Sequence, residues 1–123
     1  MPKILIAEDE PDLRCFLRDE LTDRRFSVNA VSNGADAIVA AAEDAYDLYL
    51  LDMLMPGLDG IQVIRVLRQL TPRVPILGLT GHVGRGYMAQ ASAYGVTCLS
   101  KPIQVEELLK EIKEALAGRP AQA

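Results

Sequence analysis

A chain of 123 residues is long enough for one domain with a buried core and too short for two comfortable ones. Half of its residues are apolar and 24% are charged, which excludes a disordered or collagen-like chain. Thirteen Lys and Arg against seventeen Asp and Glu leave a net charge of −4, which argues against a partner gripped mainly through phosphate backbones.

The chain alternates short apolar runs with longer amphipathic stretches. Lys3–Ala7 reads as a first strand, too short for the apolar region of a secretory leader. Pro11 then opens a helix whose Leu13, Leu17 and Leu21 share one face, with Phe16 beside them. Ser27–Val31 is a second strand, followed by a helix of mostly alanine and aliphatic residues from Ala35 to Glu43. Leu48–Asp52 is apolar at nearly every position, as expected of a strand covered on both faces. Ile61, Ile64 and Leu67 mark a third helix after Gly60, fenced by Pro72 and Pro75. Ile76–Thr80 is a second near-continuous apolar strand. Met88, Ala91 and Ala93 suggest a weaker helix, Val96–Ser100 a fifth strand, and Leu108, Leu109, Ile112 and Leu116 a last helix.

Five strand–helix alternations predict an α/β fold, a (βα)5 doubly wound open parallel sheet of five strands. A closed eight-stranded barrel needs about twice the chain. The domain is expected over residues 1–117, with 118–123 as a flexible tail. Cys15 and Cys98 lie far apart without Cys or His at metal-binding spacing, so free thiols in a reducing compartment are expected. No stretch approaches the roughly 20 apolar residues of a membrane span. A soluble, cytoplasmic protein is the expectation.

In an open parallel sheet, ligands bind beyond the carboxyl ends of the strands, where strand order reverses. The residues there are Glu8-Asp9-Glu10, Asp52, Thr80 and Lys101-Pro102. Each has a plain structural reading. The acidic run could cap the first helix, Asp52 could open a turn, Thr80 suits a strand and Lys101 a loop. Their conjunction at successive strand ends carries the functional reading. Packed carboxylates repel one another and favour a divalent cation. An oxygen-only set without His or Cys suits Mg2+, with Mn2+ as the alternative. A carboxylate can also serve as nucleophile and form an acyl phosphate, while a lysine and a hydroxyl take the remaining phosphoryl oxygens. The inventory suits phosphoryl transfer to Asp52.

These residues resemble the response-regulator receiver domain of two-component signalling. The resemblance rests on Glu8-Asp9, on the segment from Leu51-Asp52-Met53-Leu54-Met55-Pro56 to Gly57-Leu58-Asp59-Gly60, on Leu79-Thr80-Gly81, and on Lys101-Pro102. It implies a flavodoxin-like fold and Mg2+-dependent phosphorylation of Asp52 by a histidine kinase or histidine phosphotransfer protein. It further implies that Glu8, Asp9 and the Leu54 carbonyl hold the metal together with Asp52. Thr80 matches the switch hydroxyl, Lys101 the lysine that pairs with the phosphoryl group, and the Lys101–Pro102 bond is expected to be cis. The downstream target is expected to be a protein, with homodimerisation left open and no direct contact to nucleic acid or membrane.

One position departs from the family pattern. Three residues before the lysine, where an aromatic ring commonly follows the hydroxyl inward, stands Cys98. An output surface on the fourth helix, fifth strand and fifth helix is therefore expected to switch without an aromatic at 98. Leu54 and His82, flanking the acceptor, are candidates to tune the water that hydrolyses the acyl phosphate. Leu13 or Phe16 is expected to be partly exposed and to serve the kinase interface.

Two other classes remain to be weighed. An aspartate-nucleophile phosphatase carries a second Asp two residues after the nucleophile, where this chain has Leu54, so efficient turnover is not expected. A constitutive, never-phosphorylated interaction module would lack part of the acid set, which this chain retains. Met1-Pro2-Lys3 reads as a native start, which favours a stand-alone or N-terminal receiver.

Overall fold

The computed structural model describes residues 1–81 and 87–118. Five strands, β1 (Lys3–Ala7), β2 (Ser27–Val31), β3 (Leu48–Asp52), β4 (Ile76–Thr80) and β5 (Thr97–Ser100), alternate with five helices. The helices are α1 (Pro11–Asp23), α2 (Gly34–Glu43), α3 (Gly60–Leu70), α4 (Tyr87–Ala93) and α5 (Val105–Ala117). The strands form one parallel sheet in the order β2-β1-β3-β4-β5.

Strand alternation sorts the core into two layers. Leu5, Ala7, Tyr49, Leu51 and Ile76 pack with α2, α3 and Ala91 of α4. Ile4, Ile6, Leu48, Leu50, Leu77 and Leu79 pack with Leu17 and Leu21 of α1 and Leu108 and Ile112 of α5. This two-sided coverage explains why β3 and β4 are buried at every position. Edge strand β2 is only half covered, which is where its polar Ser27 and Asn29 are tolerated.

The expected (βα)5 fold is the observed one, and four strands have the expected bounds. The fifth begins one residue later, at Thr97, with Val96 buried just ahead of it. His82 and residues 119–123 lie outside the described residues.

Candidate functional site

Strand order reverses between β1 and β3, so the loops after these two strands leave the sheet in opposite directions and open a crevice. The register of β1 on β3 pairs Ala7 with Leu51, which sets the next residues, Glu8 and Asp52, side by side. Both are buried, Asp52 with 3% of its surface exposed and Glu8 with none. Asp9 is exposed above them. One carboxylate oxygen from each of Glu8, Asp9 and Asp52 fits within a 4.8 Å group.

Lys101 leaves the end of β5 and stretches across β4 to this cluster. Its Nζ lies 3.1 Å from Glu8 Oε1 and 3.4 Å from Asp52 Oδ2. Its backbone N–H donates to the Thr80 carbonyl at 2.8 Å, which anchors the stem of the reach. The Lys101–Pro102 peptide is cis, as the resemblance implied. Thr80 ends β4 fully buried, one residue before Gly81. Glu8, Asp9, Glu10, Asp52, Leu54, Gly81 and Lys101 line a cleft of about 330 Å³.

The acidic run divides its labour. Glu10 turns into α1 and caps it, its carboxylate accepting from the backbone N–H groups of Asp12 at 3.0 Å and Leu13 at 2.8 Å. The capping reading of the run is thus right for Glu10, and the site reading fits Glu8 and Asp9. Glu8 Oε2 accepts from the Glu10 N–H at 3.1 Å, while the buried Oε1 faces Lys101 without a directed hydrogen bond.

The segment after Asp52 is shaped to fold back. Leu54 N–H donates to Asp52 Oδ1 at 3.1 Å. Gly57 adopts φ +83°, a left-handed conformation that favours glycine. Asp59 and Gln62 form a reciprocal capping box at the start of α3. Gly60 donates its N–H to the Met53 carbonyl at 3.1 Å, and a Cβ there would lie 2.6 Å from Met53 Cα. Only glycine permits this approach.

Electrostatics follow from the packing. Burial pushes the Asp52 carboxyl up to about 7, opposed by the Leu54 N–H bond, reinforced by the charge of Glu8 and eased by Lys101. Burial also works against the charge of Lys101, but the charge of Asp52 and the ion pair with Glu8 hold its pKa above the ordinary value. Three carboxylates against one ammonium leave an excess of negative charge in a confined space. The buried, hydrogen-bond-poor Glu8 Oε1 and the all-oxygen donor set fit a hard divalent cation.

Phe16 is 44% exposed on α1, with Cys15 exposed and Leu13 half-buried, which matches the exposure expected of this helix. Leu54 is exposed beside the acceptor candidate. Sequence reasoning passed over Arg14, whose guanidinium donates to the Glu8 carbonyl at 2.9 Å and the Asp9 carbonyl at 3.4 Å. Its position one helical turn after the acidic run was the available signal.

Fold and cluster together define a doubly wound domain with a strand-end carboxylate site. The chain belongs to the response regulator receiver domain family, whose sequence model matches residues 4–113. It is 34% identical over 121 residues to the response regulator ArlR of Staphylococcus aureus, covering 98% of this chain and 55% of the relative. The chain therefore spans about half the length of the curated relatives it matches. The chemotaxis response regulator CheY4 of Vibrio cholerae superposes with a TM-score of 0.87 at 27% identity, over 94% of this chain and 99% of that one. The response regulator TrrA of Thermotoga maritima, solved in complex with Mg2+ and BeF, superposes with a TM-score of 0.85 at 28% identity, over 94% and 100% of the two chains. The chain is a receiver domain of the signalling type. No helix among the described residues is long and apolar enough to cross a membrane.

Proposed function

We propose that this receiver, over residues 1–117, takes a phosphoryl group on Asp52 from a histidine kinase or histidine phosphotransfer protein and thereby switches a protein-interaction surface. The observation that carries the reading is the convergence of Lys101 Nζ on both Glu8 and Asp52 at the sheet's reversal point. An Asp52 oxygen attacks the phosphorus of a phosphoimidazole, the P–N bond breaks, and the imidazole nitrogen leaves with the electron pair. Lys101 receives charge that develops on the phosphoryl oxygens, and the Leu54 N–H orients the attacking carboxylate. Thr80 supplies the hydroxyl that follows the phosphoryl group. Glu8, Asp9, Asp52 and the Leu54 carbonyl would hold Mg2+, which supplies neutralisation of the cluster and of the incoming phosphoryl oxygens.

The exposed Phe16, with Leu13 and Cys15, sits on the helix that leaves the acidic loop, and is assigned to the docking of the phosphodonor protein. The downstream target is read as a protein and the setting as the cytoplasm.

The test is phosphorylation by acetyl phosphate, followed by intact mass, with Mg2+ or with chelator. A mass gain that needs Mg2+ and disappears in Asp52→Asn supports the reading. No gain under any condition overturns it in favour of a constitutive interaction module.

A further inference from the structure

We propose that Arg14 is a positioning residue for the acidic loop, setting the orientation of Glu8 and hence the affinity of the cluster for a divalent cation. The inference rests on the metal reading above and goes beyond it. Arg14 lies in the first turns of α1, and helical side chains lean toward the N-terminus, so its guanidinium falls back over the loop 8–10. There it donates to two successive carbonyls, of Glu8 at 2.9 Å and of Asp9 at 3.4 Å. Its own backbone N–H donates to the Glu10 carbonyl at 2.9 Å, which ties the stem of the side chain to the same loop.

A trans peptide points its C=O and N–H in opposite directions. The peptide between Asp9 and Glu10 therefore has its carbonyl under Arg14 and its N–H on Glu8 Oε2, at 3.1 Å. Rotation of that peptide would release Glu8 Oε2. The other oxygen of Glu8 faces Lys101 Nζ at 3.1 Å, an ion pair without a directed hydrogen bond that sets a distance and leaves the tilt of the carboxylate to the Oε2 bond. The chain of contacts runs from Arg14 through one peptide plane to the buried ligand candidate. Arg14 does not itself belong to the cluster of three carboxylates.

Charge and geometry predict opposite signs. Arg14 is a cation beside a cation site, so a purely electrostatic role means that its loss tightens Mg2+ binding. A positioning role means that its loss weakens binding. Partners that orient metal ligands typically matter by roughly tenfold or more in affinity.

The experiment measures Mg2+ binding by calorimetry on the wild type, Arg14→Met and Arg14→Lys, with circular dichroism to confirm that each is folded. Positioning is upheld when Arg14→Met raises the Mg2+ Kd on the order of tenfold and Arg14→Lys, which keeps a donor and the charge, recovers most of it. An unchanged or lowered Kd in Arg14→Met overturns the proposal while leaving the metal reading intact. A wild type that shows no Mg2+ binding overturns both. Should Arg14→Met be unfolded, Arg14→Gln, whose shorter amide loses the charge and the reach of the guanidinium to the two carbonyls, replaces it. An unchanged or tighter Kd than wild type with Gln would then overturn the proposal, and a weaker one would uphold it.

Discussion

Replacing Asp52 by Asn removes one negative charge from a buried cluster while keeping its shape, and its effect on stability should depend on pH. In the folded chain the Asp52 carboxyl is pushed from the ordinary 3.8 up to about 7, chiefly by burial. A carboxyl with a raised folded value contributes its full stability below pH 4 and loses it as pH climbs through 7. Asn stays neutral throughout and escapes that loss. At about 1.4 kcal/mol per tenfold change in proton affinity, the span from 3.8 to about 7 sets a ceiling of about 4 kcal/mol. The cleft opens to water and Lys101 is 26% exposed, so screening reduces this to roughly 1–2 kcal/mol. At this chain length each kcal/mol moves Tm by about 3–6 °C. The advantage of Asp52→Asn over the wild type should thus widen by roughly 5 °C between pH 5 and pH 8 in the presence of chelator. Melting curves in matched buffers measure it, and the titration of groups distant from the cluster cancels in the difference. Parallel Tm profiles, or a variant that loses stability faster than the wild type as pH rises, would refute the reasoning. Mg2+ at a hundredfold excess over its Kd should return about 2.7 kcal/mol to the wild type and less to the variant.

Gly60→Ala places a methyl 2.6 Å from the Met53 backbone, and should cost about 1–3 kcal/mol in urea unfolding while slowing acetyl-phosphate labelling of the neighbouring Asp52. Arg68 donates to the Tyr94 carbonyl at 3.0 Å and the Val74 carbonyl at 2.6 Å, so Arg68→Ala should cost about 2–3 kcal/mol and speed hydrogen exchange at the end of α4; unchanged protection there would show that the two bonds are dispensable. In Cys98→Tyr, a ring must leave the space that the thiol shares with Gly78 and Met53, so partner binding and switching should change; a variant indistinguishable from the wild type would show that position 98 has no part in them.

The central strands were legible because parallel strands covered on both faces exclude unpaired polar groups, and in Leu48–Leu51 and Ile76–Leu79 the one polar side-chain group is the Tyr49 hydroxyl, which meets Thr71 at 2.9 Å. The helices were legible from spacing and from Pro11, Gly60 and the paired prolines at 72 and 75. What one-dimensional reading cannot supply is lateral order. Glu8 and Asp52 are 44 positions apart, and only the order β2-β1-β3-β4-β5 with Ala7 opposite Leu51 makes them neighbours. The division within the acidic run was hidden from the pattern alone, while the resemblance had already set Glu8 and Asp9 apart from Glu10. Three adjacent carboxylates look alike in sequence, and the local turn sends Glu10 to the helix end and Glu8 into the core. Arg14 and Arg68 escaped for a related reason, because each binds backbone carbonyls, and a carbonyl leaves no mark in the residue letters.

The packing around Cys98 links the site to β5. Gly78 and Cys98 are register partners on β4 and β5, and a Cβ on Gly78 would meet the Cys98 sulfur at 2.8 Å and the Met53 sulfur at 3.1 Å. Burial pushes the Cys98 thiol pKa up, so it stays protonated and behaves as a small apolar group against the core layer that carries α3 and α4. Met53 directly follows Asp52, and its N–H donates to the Leu79 carbonyl at 2.9 Å. Under the proposed function, a shift of Thr80 toward a phosphorylated Asp52 would act on a strand already packed through Gly78 against Met53 and Cys98. On that proposal, with a thiol at 98 this close-packed contact would take the place of a swinging ring between the acceptor and β5, and its small volume would limit how far β4 and β5 can move without opening a void.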